Sequence, residues 1–416
     1  MSRNALSITT SLLVALSPLS CSGAGCSPKP DPTASTAPEA TAPATTAPAT
    51  TTPATTTPAT TNRTWVIGYY PWYEANDVSP ATFPYSKLTH VAIGNIFVTD
   101  SGCCTPPPGS ETTWAAYASA TVTAAHNAGT SVLLQLGGAD NQSSGWISGT
   151  ATDAAAATLA RSIVGFSQAL GVDGVALDWE VDVDEFAVGR LAKHLRSLWP
   201  SAVITADVGP YDEDLDWVSG LTPYVDRIDA MTYISVGNWG GWQGPWHQGA
   251  LYGDSSANPM SVNRKVSQLV AAGVEPGQIG FGIGLFGSAY GDSNGDGNCP
   301  SAPTSGWNGE WGSWFGDYQL QLDDIQRLYA PAMTRTFDPV TLTPYLSASA
   351  PGAGGEPDGW PPKVCYITYE DEQSATHKGR YARSAGLGAV ILWAVPQDRR
   401  DNGTYPVLDA LNLGLR

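Results

Sequence analysis

The ten residues Gly171-Val-Asp-Gly-Val-Ala-Leu-Asp-Trp-Glu180 constrain this chain more than any other stretch. Val172, Val175 and Leu177 make the run read as a buried strand. Thr152 to Leu170 before it reads as a helix, the order that a parallel sheet requires. Side chains along a strand alternate between its faces, so Ala176, Asp178 and Glu180 share one face. Two carboxylates on one face of a buried strand end cannot both lie in apolar packing, because an unpaired buried charge costs too much. They must open onto a polar cavity, where crowding raises the pKa of one of them. A protonated carboxyl beside an ionised one is the equipment for cleaving a glycosidic bond. A strand end carrying two solvated acids is the plain alternative.

The rest of the chain repeats the same alternation. Trp65–Tyr70, Lys87–Phe97, Ser131–Leu136, the acid-bearing run, Ala202–Asp207, Val225–Tyr233, Gln278–Phe286 and Gly388–Trp393 read as eight strands. Helices are predicted over Trp114–Asn127, Asp153–Leu170, Asp184–Leu198, Ser261–Ala272, Glu370–Ala385 and Pro406–Leu413. Phe186, Leu191, Leu195 and Leu198 are taken as the apolar stripe of the third of these. The pattern is that of an α/β chain forming a (β/α)8 TIM barrel, with an insertion at about 287–362 between strands seven and eight, which Val364–Tyr369 closes as a strand. Such barrels carry their chemistry at the C-terminal ends of the strands, where Asp178 and Glu180 fall.

Residues 1–26 read as an export signal, with Arg3 ahead of the short apolar stretch Ala5–Leu19. Lipid attachment at Cys21 or Cys26 and secretion without a lipid both stay open. No other segment is apolar enough to span a bilayer. Residues 27–62, built of Thr, Ala and Pro, read as an extended linker, which leaves 63–416 as the folded domain. Cys103, Cys104, Cys299 and Cys365 then form two disulfides in one of three pairings. The formal charge of −18 excludes nucleic acid and an anionic membrane surface as partners. Only 14% of residues are charged, against 15 Trp and 17 Tyr, which suits a monomeric enzyme with an aromatic-lined groove for a neutral polymer.

Asp173, Asp178 and Glu180 resemble the Asp-x-x-Asp-x-Asp-x-Glu signature of the family 18 glycoside hydrolases, the chitinase family. The resemblance extends to Val66-Ile-Gly-Tyr-Tyr-Pro-Trp72, Lys87–Val91, Leu134-Gln-Leu-Gly-Gly138, Ala230-Met-Thr-Tyr233, Tyr369–Ser374 with Lys378, and Gly388–Trp393, in the family's order. It implies hydrolysis of β-1,4-linked N-acetylglucosamine polymers, with the sugar's own acetamide oxygen attacking C1 and retention of configuration. In that scheme Glu180, Asp178 and Tyr233 are catalytic. Asp173, Trp393, Tyr70, Trp72, Met231, Asp207, Trp239 and Trp242 bind substrate, and neither a metal nor a cofactor takes part. Trp146 and Trp246 are further groove candidates.

Three departures bear on that implication. Ala176 stands where the family has an aspartate beside Asp178, Ile234 stands where an aspartate follows the tyrosine, and Gln135 stands where serine is usual. Asp207 either supplies a missing acid or caps a loop. A weakly active or inactive glycan-binding relative, and a hydrolase of another N-acetylated glycan, are the alternatives. Asp292–Asp296 has the start of a calcium loop, but Pro303 stands where its closing glutamate belongs.

A Thr/Ala/Pro linker packs on nothing, so deleting residues 27–62 is expected to leave the melting temperature of the folded domain unchanged. A drop of several degrees in a thermal scan would make the segment part of the domain.

Overall fold

The computed structural model describes residues 63–416 except 101, 140, 142, 211–213, 234–244, 256–259, 293–297, 300–313 and 353–363, and for 292 and 314–318 the backbone alone. The chain divides into Met1–Ala59 and Thr60–Arg416, and all described residues belong to the second unit. The export segment and linker expected over 1–62 lie outside them.

The strands are β1 (Trp65–Pro71), β2 (His90–Thr99), β3 (Gly102–Thr105), β4 (Ser131–Gly137), β5 (Gly174–Asp178), β6 (Val203–Val208), β7 (Arg227–Ala230) and β8 (Ile279–Gly284). They continue as β9 (Phe286–Asp292), β10 (Trp314–Gln321), β11 (Thr334–Asp338), β12 (Thr343–Ser347), β13 (Val364–Thr368) and β14 (Ala389–Trp393). In the order β1-β2-β4-β5-β6-β7-β8-β14, eight of them pair in parallel, and β14 returns to β1 to close the barrel. Strand β3, which the sequence reading did not contain, pairs antiparallel with the end of β2. Between β8 and β14 the insertion forms its own antiparallel sheet, ordered β10-β9-β13-β12-β11.

The helices are α1 (Glu111–Asn127), α2 (Ser144–Thr150), α3 (Asp153–Leu170), α4 (Glu185–Leu198), α5 (Val218–Leu221), α6 (Val262–Ala271), α7 (Leu322–Asp324), α8 (Glu372–Ser384) and α9 (Pro406–Leu415). Their ends follow local chemistry. The Thr152 hydroxyl accepts from Ala155 N to start α3, and Gly171, at φ 82°, stops it one turn before β5. Asp184 caps α4 through Ala187 N, and Asp371 with Ser374 forms a capping box on α8. In α4, Leu191 and Leu195 are buried, but Phe186 and Leu198 are 64% and 43% exposed, against the expected stripe. Phe186 stands five residues before Leu191, which at 3.6 residues per turn puts it about 140° around the helix. Leu198 lies in the last turn.

One apolar layer, with Val66, Ile93, Leu134, Val175, Ile204 and Val390, joins the barrel to its helices. A second fills the barrel with Ile67, Tyr69, Ala92, Leu133, Tyr233, Phe286, Ala389 and Ile391. Glycines make room inside. A Cβ on Gly280 would lie 1.8 Å from Asp229 Oδ1, and one on Gly282 would lie 2.5 Å from the Tyr233 ring. The bare inner face of β8 therefore admits both side chains.

The cysteines pair as Cys103–Cys104 and Cys299–Cys365, so one bridge joins neighbours and the other spans 66 residues of the insertion. The insertion is also tied to the 245–251 segment. His247 Nε2 meets Asp338 Oδ2 at 3.0 Å, and Gln248 Nε2 donates to Phe286 O at 2.6 Å. Lys378 of α8 donates to Glu370, just after β13, with the two side chains 0% and 1% exposed.

Replacing Lys378 with Met strands that carboxylate. Breaking a buried pair from one side costs about 3–5 kcal/mol, whereas removing both partners often costs little. The Lys378→Met urea midpoint is therefore expected to fall by that equivalent, and the Lys378→Met/Glu370→Leu pair is expected to recover most of it. A single variant within about 1 kcal/mol of native would contradict the buried pair.

Candidate active site

Strand β5 delivers Asp178 to the C-terminal mouth of the barrel and stops there. Asp178 is 3% exposed, while Glu180, two residues on, is exposed. Between them Trp179 turns away to stack on Trp146, with ring centroids 5.4 Å apart and planes 10° apart. The Asp178 carboxyl is nevertheless influenced by that of Glu180, and neighbouring carboxyls titrate as a pair rather than singly. Gly137 and Gly138 pack against this point. A Cβ on Gly137 would sit 2.0 Å from Asp178 O, and Gly138 N donates to that oxygen at 2.7 Å.

The other oxygen of Asp178 is held by Gln135 of β4, whose Nε2 donates to Oδ2 at 2.7 Å. Gln135 is fully buried, and its Cα partner across the ladder is Ala176. Asp207, near the end of β6, also turns into the barrel and accepts from the Tyr69 hydroxyl at 2.6 Å. Its partner across the next ladder is Asp229 of β7, fully buried. Tyr233 lies over Gly282, edge-on to Phe286 at 6.0 Å. The Trp393 ring is 5.5 Å from Tyr69, and both pack with Met231 and Tyr233 in one cluster.

Burial sets the protonation. It raises the pKa of Asp178 to about 6, against the pull of the Gln135 and Glu180 hydrogen bonds. It pushes Asp207 well above the ordinary carboxylate range, and the charges of Asp178 and Asp229 push the same way. Asp229 rises to about 7 through burial, held down by Arg227. Arg227 itself lies over the Trp65 ring at 3.7 Å. Carboxyls so close and so dry take up protons well above the ordinary carboxylate range, which suits the mouth to protonating a leaving oxygen beside a retained negative charge.

The mouth thus brings together Asp178, Glu180, Asp207, Met231, Tyr233 and Trp393. It does not include Asp173, which precedes the first residue of β5 at the opposite end of the barrel. There Asp173 meets His126 Nε2 at 2.9 Å and accepts from Val132 N at 2.8 Å, as a brace between α1 and β4. Tyr70 is likewise corrected. It is fully buried in the layer outside the barrel, stacked on Phe83 at 4.2 Å with its hydroxyl on Val78 O. Its neighbour Tyr69 faces inward in its place, since adjacent strand residues point to opposite faces. Trp72 packs, half-buried, against the outer layer. Trp146 and Trp246 are buried, the latter completely, so neither presents a face to a groove. Trp239, Trp242 and Ile234 lie outside the described residues, as does most of Asp292–Asp296. Among the described residues no group of His, Cys, Asp or Glu could hold a metal ion. Tyr69, Gln135 and Asp229 are the residues that sequence reasoning missed. The parity of β1 against Ile67 could have found the first, and the paired oddity of Gln135 and Ala176 on neighbouring strands could have found the second.

Residues 65–398 match the family described as Glycosyl hydrolases family 18. Chitinase B of Serratia marcescens is 25% identical, over 83% of this chain and 83% of that protein. Endochitinase 1 of Metarhizium robertsii is 24% identical, over 62% of this chain and 60% of that protein. In fold, the chain is similar to the solved Group II chitinase catalytic domain 2 of Ostrinia furnacalis in complex with penta-N-acetylchitooctaose. The TM-score is 0.70 at 20% identity, covering 85% of this chain and 97% of that one. With four fifths of its length matched to one family and the barrel closed as described, the chain belongs to the glycosyl hydrolases of family 18.

Proposed function

We propose that this chain is an exported or cell-surface monomer that hydrolyses β-1,4-linked N-acetylglucosamine polymers, chitin or a related N-acetylated glycan, with retention of configuration. The observation that carries the reading is the placement of buried Asp178 and exposed Glu180 at the end of β5 in the barrel mouth, with Tyr233, Met231 and Trp393 packed in one cluster. Glu180, at the exposed end of the pair, protonates the leaving oxygen and then takes a proton from water. The substrate's acetamide oxygen attacks C1 to give an oxazolinium ion. Asp178 accepts from the acetamide N–H and stabilises the positive charge, and Tyr233 donates to the acetamide oxygen. Trp393 is the apolar floor under the sugar ring, and Tyr69 orders Asp207 beside it. The names of the relatives, chitinase B and endochitinase 1, favour chitin within this class.

The Gln135 hydrogen bond also speaks against reading the loss of an acid at Ala176 as loss of activity, because Asp178 keeps a partner. Glu180→Gln is expected to abolish cleavage of a chitin oligosaccharide while leaving its binding intact. Native protein that binds the oligosaccharide but is as inert as the variant would favour a binding protein instead. The buried Asp178 gives the pH dependence. Its pKa of about 6 lies above the ordinary carboxylate range, so its charge is lost as pH falls through 6. The kcat/KM profile is expected to drop on its acid side near pH 6. A profile flat down to pH 4 would remove Asp178 from the reaction.

A further inference from the structure

We propose that Gln135 is the positioning residue for Asp178, and that Gln135 and Ala176 form one exchanged pair. The carboxamide on β4 fills the space left by the short side chain opposite it on β5 and supplies a hydrogen-bond donor that cannot ionise. The proposal rests on the glycosidase reading above for its kinetic consequence, but not for its geometry.

The geometry is specific. Gln135 and Ala176 are Cα partners across the β4–β5 ladder, both with fully buried side chains inside the barrel. The amide reaches along the strand to Asp178 Oδ2 at 2.7 Å. Its other end lies against β2, where a Cβ on Gly94 would stand 2.0 Å from Gln135 Oε1. The amide orientation follows from chemistry, since turned the other way it would set an acceptor oxygen against a carboxylate. Oδ2 is thereby committed to Gln135, and Oδ1 finds no N–H or O–H among the described residues. The Glu180 carboxyl also acts on Asp178.

A carboxyl in place of the amide could hold the proton itself. An amide has no such state, so it donates to Asp178 at every pH. That favours negative charge on Asp178 and leaves the proton with Glu180, which must deliver it. The titratable groups that face Asp178 from the other elements are the Tyr69 hydroxyl from β1, Asp207 from β6 and Tyr233 after β7, with Asp229 beyond Asp207. All of them are acids, so each added charge works against ionisation of Asp178, and Gln135 works for it.

The test compares native protein with Gln135→Met, which keeps length and loses the donor, Gln135→Glu, Ala176→Asp, and the double change Gln135→Ser/Ala176→Asp. Two readouts are taken: kcat/KM against pH on an N-acetylglucosamine tetramer, and Tm against pH without substrate. For Gln135→Met, kcat/KM is expected to fall about 100-fold, the lower end of the range for a disturbed acid–base group, and the acid limb to move to higher pH. Its Tm deficit is expected to widen from pH 5 to pH 8. The sign follows because a folded-state pKa above the unfolded one makes stability fall as pH rises, and removing the donor carries that fall to higher pH. Gln135→Glu is expected to be poor at pH 7.5, and its deficit relative to native protein to narrow toward pH 5, where the new carboxyl is protonated and can donate. Ala176→Asp alone is expected to lose activity by crowding the amide, and the double change to recover it. A native pH profile with a pH-independent Tm deficit in Gln135→Met would overturn the proposal, as would a gain from Ala176→Asp alone. Native protein inert on the tetramer, with the widening Tm deficit intact, would overturn the glycosidase reading and leave the positioning role standing.

Discussion

The structure depends on keeping one carboxylate, Asp178, almost out of water at the end of a barrel strand. Burying such a group without partners costs more than a domain of this size can spare. The surrounding fold can be understood as the set of arrangements that make it tolerable. Gln135 donates to one oxygen, Glu180 lowers the carboxyl's affinity for protons at the mouth, and Gly138 N holds the backbone carbonyl of Asp178 in place. Each partner comes from a segment whose position is set by parallel pairing, so the site is only as well defined as the barrel register.

The barrel interior carries the same tension further down. Asp207 and Asp229 stand in register on neighbouring strands, and the Tyr69 hydroxyl donates to Asp207. Room for these polar groups and for the Tyr233 ring comes from glycines on β8, which give up side-chain packing in exchange for close approach. The aromatic and aliphatic cluster of Tyr69, Tyr233, Phe286, Ile391, Met231 and Trp393 then excludes water from the acids. Excluding water strengthens every interaction among them and raises their affinity for protons. An apolar lining and a row of acids thus meet inside one barrel.

The barrel was legible because its signals are local and repeated. Alternating strands and amphipathic helices locate α3 to the residue, and the acids at the end of β5 mark the working face. What sequence could not supply was relation across strands. Tyr69 and Tyr70 are indistinguishable until the parity of β1 is known, and it is Tyr69 that packs inside the barrel. Asp173 sits in the same motif as Asp178, yet five residues of strand carry them to opposite ends of the barrel. Gln135 looked like a departure from the family pattern, and so did Ala176. Only the β4–β5 register shows that they face each other and fit together. Exposure of Phe186 has a simpler cause, since its spacing from Leu191 was never that of a single helical face.

The proposed reaction makes one demand on its product. Attack by the substrate's own acetamide, followed by water on the face that the leaving group left, retains the configuration at C1, and the two-carboxyl spacing rule does not govern such a site. Proton NMR of the first product released from a chitin oligosaccharide, read before the anomers equilibrate, tests this directly. The account predicts that the new reducing end appears first as the β-anomer, with the α-anomer growing in later. An α-anomer at the earliest time points would contradict it.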